Sequence, residues 1–244
     1  MTISDRIKQP IDPSLCITNG STPIPYFGQF DVARSCTISL NPSGREFCDK
    51  NGRLLDSSRE RLCSRMKLGK KDSEILEDAE VVSVLSSCNN YFNNRPYKGW
   101  FNKYERFLQR FGLSYYSGSV VHLDLVQWAT TPFWGELPEG VRQKLLDRDL
   151  PFLQELLKKN FGYIFLNGKT TVTEVSDHLS LKLEEIEVKV LEKAKTKIYF
   201  GEHGKSKVLG WSTYLQSAAV GSYANVDRLA NEVFEQNMKK SMMK

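Results

Sequence analysis

An α/β domain of three layers, with a mainly parallel central sheet between helices, is the fold class that this sequence predicts. Short apolar stretches that read as strands alternate with amphipathic stretches that read as helices. The chain has 244 residues, enough for one substantial domain, and no repeat, low-complexity tract or linker divides it, so a single domain over 1–244 is expected. Its composition, 40% hydrophobic and 26% charged, is ordinary for a globular protein.

Residues 1–30 hold four prolines and read as an irregular arm. "SCTISL" is the first strand. "SSRERLCSRMKLG" has helical spacing of Leu62, Met66 and Leu68, and "DSEILEDAEVVSVLSSCNNYF" is a helix opened by Asp72 or Ser73. "KGWFNKYERFLQRFG" puts Trp100, Tyr104, Phe107, Leu108 and Phe111 on one face and stops at Gly112. "SVVHLDLVQWATT" is a buried strand running into a loop, and two helical pieces broken at Pro151 follow. "GYIFLNG" is a strand. The stretch from Thr171 begins as a helix, and its later half fits a strand or an amphipathic helix. "TKIYFGEHGKSKVLGW" reads as two strands around Gly201 to Lys205, and "NVDRLANEVFEQNMKKSMMK" closes as a helix.

The formal charge of +5 permits contact with nucleic acid without requiring it. The five cysteines include no C-x-x-C pair, which argues for reduced thiols and against a zinc or iron–sulfur site; no metal or cofactor is expected. No stretch approaches the ~20 apolar residues of a membrane span, and the start lacks an apolar signal core, so a soluble cytoplasmic protein without a membrane partner is expected. "GYIFLNGKTT" imitates a phosphate loop. Five residues separate Gly162 from Gly168 where the motif needs four, and they look like the strand itself.

In a parallel α/β sheet, ligands bind at the carboxyl ends of strands. The exits are Asn41 onward, Asp124 onward, Asn167 onward and a fourth after Trp211. Pro42 pushes Asn41 toward extended geometry, aiming its side chain into the mouth of the sheet, although Asn-Pro-Ser-Gly is equally a plain turn. Asp124 lies in an otherwise apolar run. A carboxylate there is costly without a partner, so it is either a structural cap or an acceptor at a pocket floor.

Taken together, "SLNPSGREF", "VVHLDLVQWATTP", "YIFLNGK" and "VLGWSTYLQS" resemble the successive motifs of the uracil-DNA glycosylase superfamily, over roughly Phe27 to Gln216. The resemblance implies a uracil-DNA glycosylase-like three-layer fold. It implies that Asn41 positions the water that attacks the sugar carbon, Ser39 standing where the family has Gly. Phe47 would stack on a base flipped out of the duplex, unless it is ordinary core. Arg45 and Glu46 would line the entrance and bond sugar hydroxyls. Ser43, Lys169, Ser212 and Gln216 would meet DNA, with Lys205 and Lys207 adding positive charge, and Tyr214 or Leu215 would enter the duplex as a wedge. Two departures stand out. None of His122, His178 and His203 falls where the family has its base-stabilising His, and Asp124 stands where the family reads uracil with Asn.

An ionised Asp only accepts hydrogen bonds, which suits the exocyclic amine of cytosine. Ordinary cytosine fills any genome, so a modification must be required. The resemblance then extends to a bacterial anti-phage branch that removes α-glucosylated hydroxymethylcytosine from double-stranded DNA. A monomer is expected. Uracil or mismatch repair, a non-catalytic nucleic-acid-binding module, and a hydrolase of free nucleosides or small amides are the alternatives.

Overall fold

A computed structural model describes residues 1–191 and 194–242. Their order is α1 (Ile3–Ile7), β1 (Ser35–Ser39), α2 (Asp78–Asn89), α3 (Lys98–Gln109), β2 (Val120–Asp124), α4 (Glu139–Leu157), β3 (Tyr163–Asn167), α5 (Lys169–His178), β4 (Glu184–Leu191), β5 (Ala194–His203), β6 (Ser206–Trp211) and α6 (Tyr223–Met242), with three short 3-10 turns. The strands form one six-stranded sheet in the order β2-β1-β3-β6-β5-β4. The sheet is mixed, which corrects the mainly parallel expectation. β1, β3 and β6 run parallel, whereas β6, β5 and β4 are antiparallel neighbours. The cause is local: β5 and β6 are joined by a tight turn at Gly204, whose φ of +59° suits glycine, and so short a connection pairs strands only in opposite directions.

The chain divides into two compact units, each drawn from three separate segments. The second unit comprises 32–39, 98–121 and 160–244. Its parallel strands carry continuous apolar runs, Ile164 to Leu166 and Val208 to Leu209, as strands covered on both faces must. Successive side chains alternate between faces. Trp211 stacks on Phe107 of α3 at 4.0 Å, while a Cβ on its neighbour Gly210 would lie 2.8 Å from Val172 of α5. Helices α3 and α5 therefore cover opposite faces. Phe234 of α6 meets Phe111, just beyond α3, at 5.3 Å and so joins the α3 side. The edge strand β4, read as strand or helix from its sequence, is largely exposed and carries Glu184, Glu185 and Glu187, charges that discourage pairing with another chain.

The first unit comprises 1–31, 40–97 and 122–159. Its first thirty residues are mostly irregular, as expected, but they are packed into the unit, with Ile7, Leu15, Ile24 and Phe27 buried, and do not form a free arm. Thr2 and Asp5 cap α1 reciprocally, and Arg6 and Ile7 of that helix are fully buried. Arg6 pairs with Asp149 at 2.5 Å, both side chains 0% exposed, and Asp149 also accepts from the Gln127 backbone N–H at 2.8 Å. The expected helix over 57–69 does not form; the segment is a series of turns. Arg65 explains it: its buried guanidinium donates to the backbone carbonyls of Gln9, Ser21, Lys71 and Glu74, which holds the surrounding loops around it. Helix α2 starts at Asp78, later than the sequence suggests.

Pro151 does not break α4, which is one helix of 19 residues. Pro151 and Asp147, whose carbonyl loses its partner, both face solvent, while Leu145, Leu146, Phe152 and Leu153 are buried on either side of the interruption. The orphaned carbonyl belongs to an exposed residue, and packing on the buried side holds the two halves in line.

Candidate functional site

In the first unit two strand exits are stitched together. The Val126 N–H donates to Leu40 O at 3.0 Å, and Ser43 forms a parallel bridge with Thr130. Asn41 Nδ2 donates to Thr130 Oγ1 at 2.9 Å, Pro42 O at 3.1 Å and Trp128 O at 3.3 Å. Two carbonyls on one side fix the amide orientation, and Oδ1 remains as an acceptor on a half-buried side chain. Gly44 follows for a steric reason. A Cβ there would lie 3.0 to 3.1 Å from Thr131 Oγ1, Thr130 O and Thr18 Oγ1, so a larger residue would push the two exits apart. Ser43 caps the following 3-10 turn, its Oγ accepting from the Arg45 N–H at 3.2 Å. Its hydroxyl can still donate outward.

The end of β2 supplies Asp124. It is 4% exposed, and neither carboxyl oxygen has a hydrogen-bond partner among the described residues. The nearest cationisable group is His122 Nε2, 3.5 Å from Oδ1 and on the same face two residues earlier. Buried polar groups are almost always satisfied, so a carboxyl at a strand end with His122 as its one close cationisable neighbour among the described residues is an acceptor that a ligand's N–H could use.

Glu46 departs from expectation. It does not line an open entrance: it is 4% exposed and accepts from the Tyr91 hydroxyl at 2.7 Å. Burial pushes its carboxyl up to about 7; the Tyr91 hydrogen bond and the Arg61 charge pull it down, and the Asp124 charge adds to the rise. Tyr91 also accepts from the Tyr97 N–H at 2.9 Å, and its phenol is held well above its ordinary range chiefly by burial. Phe47 is buried at 2% exposure, consistent with core packing as much as with stacking. Arg45 is half-buried and lines a groove of about 200 Å³ with Gly44, Asp49, Thr130, Thr131 and Glu136.

The remaining candidates lie in the second unit. The interval suspected of imitating a phosphate loop is strand β3. At its end Asn167 is a brace for the next loop. Its Oδ1 accepts from Trp211 Nε1 and the Leu215 N–H, both at 3.0 Å, and its Nδ2 donates to Gln216 Oε1 at 2.9 Å. Gln216 in turn donates to Trp100 O at 2.7 Å. Ser212 Oγ accepts from the Lys197 N–H at 2.9 Å, so it serves the hairpin. Leu215 is fully buried, which removes it as a projecting wedge; Tyr214 is 41% exposed and remains. Its hydroxyl accepts from Trp100 Nε1 at 2.8 Å. Lys169, Lys205 and Lys207 are exposed.

Asn167→Ala strands two buried N–H donors, each costing about 1–3 kcal/mol. The expected loss is about 2–6 kcal/mol, seen as a lower urea midpoint together with faster amide exchange at Leu215.

Sequence reasoning missed Tyr91, His122 and Thr130 as parts of this arrangement. The i, i+2 spacing of His122 and Asp124 within a strand was the available signal for one of them. Among the described residues no group of three His, Cys, Asp or Glu is placed to hold a metal ion, and no helix is long and apolar enough to cross a membrane.

No protein-family model, curated protein or solved structure matches this chain.

Proposed function

We propose that this protein is a DNA glycosylase that flips a modified cytosine out of double-stranded DNA and hydrolyses its N-glycosidic bond, with α-glucosyl-hydroxymethylcytosine of phage DNA as the best candidate base and anti-phage defence as the role. The observation that carries it is the buried, unpartnered Asp124 carboxyl on a strand exit stitched to the Asn41 turn. Asp124 accepts from an exocyclic amine. Asn41 Oδ1 holds a water against the anomeric carbon; a neutral amide orients that water and does not deprotonate it. In this reading Arg45 and the groove beside it take the modification on the base, and Phe47 forms part of the pocket floor beneath it. Tyr214 and the exposed lysines of the second unit meet DNA, which makes binding strongly salt-dependent.

The test is base release from labelled duplexes carrying cytosine, uracil, hydroxymethylcytosine or α-glucosyl-hydroxymethylcytosine, with alkaline cleavage marking abasic sites. Strand breaks at the glucosylated base and not at cytosine or uracil are expected. Equal cutting of uracil and modified-cytosine duplexes overturns the role given to Asp124. A protein that binds duplexes and releases no base is a binding module instead.

A further inference from the structure

Glu46 and Asp124 belong to one contiguous buried cluster in the first unit. Glu46 is bonded to Tyr91, whose ring meets Phe27 at 4.8 Å; Phe27 meets His122 at 5.4 Å, and His122 lies 3.5 Å from Asp124. The titratable or charged groups acting on Glu46 are Tyr91, Arg61 and Asp124. Arg61 is spread between the Tyr97 ring, 5.2 Å away, and the carbonyl of Arg45, so it forms no ion pair with Glu46 that would fix the carboxyl in its charged form. Burial, with the Asp124 charge adding to it, raises the Glu46 carboxyl to about 7, so Glu46 holds its proton more readily than an exposed glutamate does.

The leaving base poses the matching chemical problem. Uracil departs as an anion spread over two carbonyls, which a donor such as histidine can stabilise. Cytosine has an amine in place of one carbonyl and makes a poorer anion, so it departs readily only when protonated at N3. This chain has no His at the family's base-stabilising position. It has a buried carboxyl in the same buried cluster as the candidate amine reader.

We propose that Glu46 is the general acid that protonates the departing base, an inference that rests on the glycosylase reading above. The Glu46 proton passes to N3 as the bond between C1′ and N1 breaks, its electron pair staying on N1. A neutral base leaves and the positive charge stays on the sugar. The water on Asn41 adds to C1′ and gives one proton to the Glu46 carboxylate, which restores the acid. One water is consumed, and one free base and one abasic site are formed. Asp124 accepts from the amine, whose N–H is more acidic while N3 carries the proton. Tyr91 holds the acid in place.

The experiment is the pH dependence of single-turnover base release from hydroxymethylcytosine and α-glucosyl-hydroxymethylcytosine duplexes. Wild type, Glu46→Gln and Asn41→Ala are compared, with ¹³C NMR titration of the glutamate carboxyls alongside. Glu46→Gln keeps the acceptor for Tyr91, and its melting temperature checks the fold. The wild-type rate should fall about tenfold per pH unit above the acid's titration point, and Glu46→Gln should be slower by about 10²–10⁴-fold with that limb gone. Asn41→Ala should be slow with the limb intact. One glutamate carboxyl should titrate near 7, absent in Glu46→Gln. Release by the wild type with a flat profile, or by Glu46→Gln within about threefold of it, overturns the acid and leaves the glycosylase reading standing. Release from no duplex overturns the glycosylase reading, and the acid with it. A Glu46 carboxyl titrating at its ordinary value of about 4.3 overturns the acid whatever the substrate.

Discussion

Replacing Asn41 with Ala is expected to slow base release by about 10²–10³-fold while shifting the melting temperature by only a few degrees. The two readouts separate because the side chain does two things. Nδ2 is a half-buried donor shared among Thr130, Trp128 and Pro42, and losing it costs about 1 kcal/mol of net hydrogen bonding. Oδ1 has no partner among the described residues, so in the proposed reaction its loss falls on the attacking water alone. Asn41→Asp sharpens the point. One carboxylate oxygen would replace the donor and face the carbonyls of Trp128 and Pro42, a repulsive arrangement costing about 1–3 kcal/mol. The geometry thus asks for an amide here, and a carboxylate would have to rotate out of place. Undiminished release by Asn41→Ala removes Asn41 from the chemistry.

The largest stability effect is expected at Arg6. Arg6→Ala leaves Asp149 buried without its partner, and breaking a buried pair in this way costs about 3–5 kcal/mol. In a protein of this size that is roughly 6–20 °C in melting temperature. Burial already lowers the guanidinium to about 10 and raises the Asp149 carboxyl above its ordinary range, so both ions carry a desolvation penalty. The pair offsets most of it, with the Gln127 N–H and Arg148, 4.0 Å away, giving Asp149 further support. The double variant Arg6→Met with Asp149→Leu should regain most of the loss, because apolar side chains of similar size need no partner. The recovery is incomplete, since the Gln127 N–H loses its acceptor, a cost of about 1–3 kcal/mol. A calorimetric cycle of wild type, Arg6→Met, Asp149→Leu and the double variant measures this directly. Near-additive losses in the double variant would mean that the pair is not what holds α1.

What could be read in advance follows from the range of the interaction that decides each element. The aromatic stripe of α3 and the short apolar runs of β1 and β3 are set by neighbours a few residues apart, and periodicity shows them. The turns at 57–69 are governed by Arg65 reaching carbonyls as far away as Gln9, which no local window contains. The same holds at the candidate site. Asn41 and Asp124 stood out because an amide before proline and a carboxylate in an apolar run are locally odd. Glu46 looked like an ordinary polar residue at an entrance. Its burial depends on Tyr91, 45 residues further along the chain. Pro151 misled in the opposite direction, because its cost depends on which way one carbonyl faces.

The interleaving of the two units bears on synthesis. The first unit takes its last segment at 122–159, and the second needs 160–244 to complete its sheet. A nascent chain emerging from the ribosome therefore carries β1 for more than a hundred residues before its neighbour β3 exists to pair with it. Throughout that interval an apolar strand waits with an unpaired edge, the condition under which chains aggregate or call on chaperones. Truncation at any single point removes part of at least one unit, so neither is separable by cutting the gene once. Fragments should be made by joining distant segments, and yield on expression should respond to temperature and chaperone supply more steeply than the stability of the finished protein would suggest.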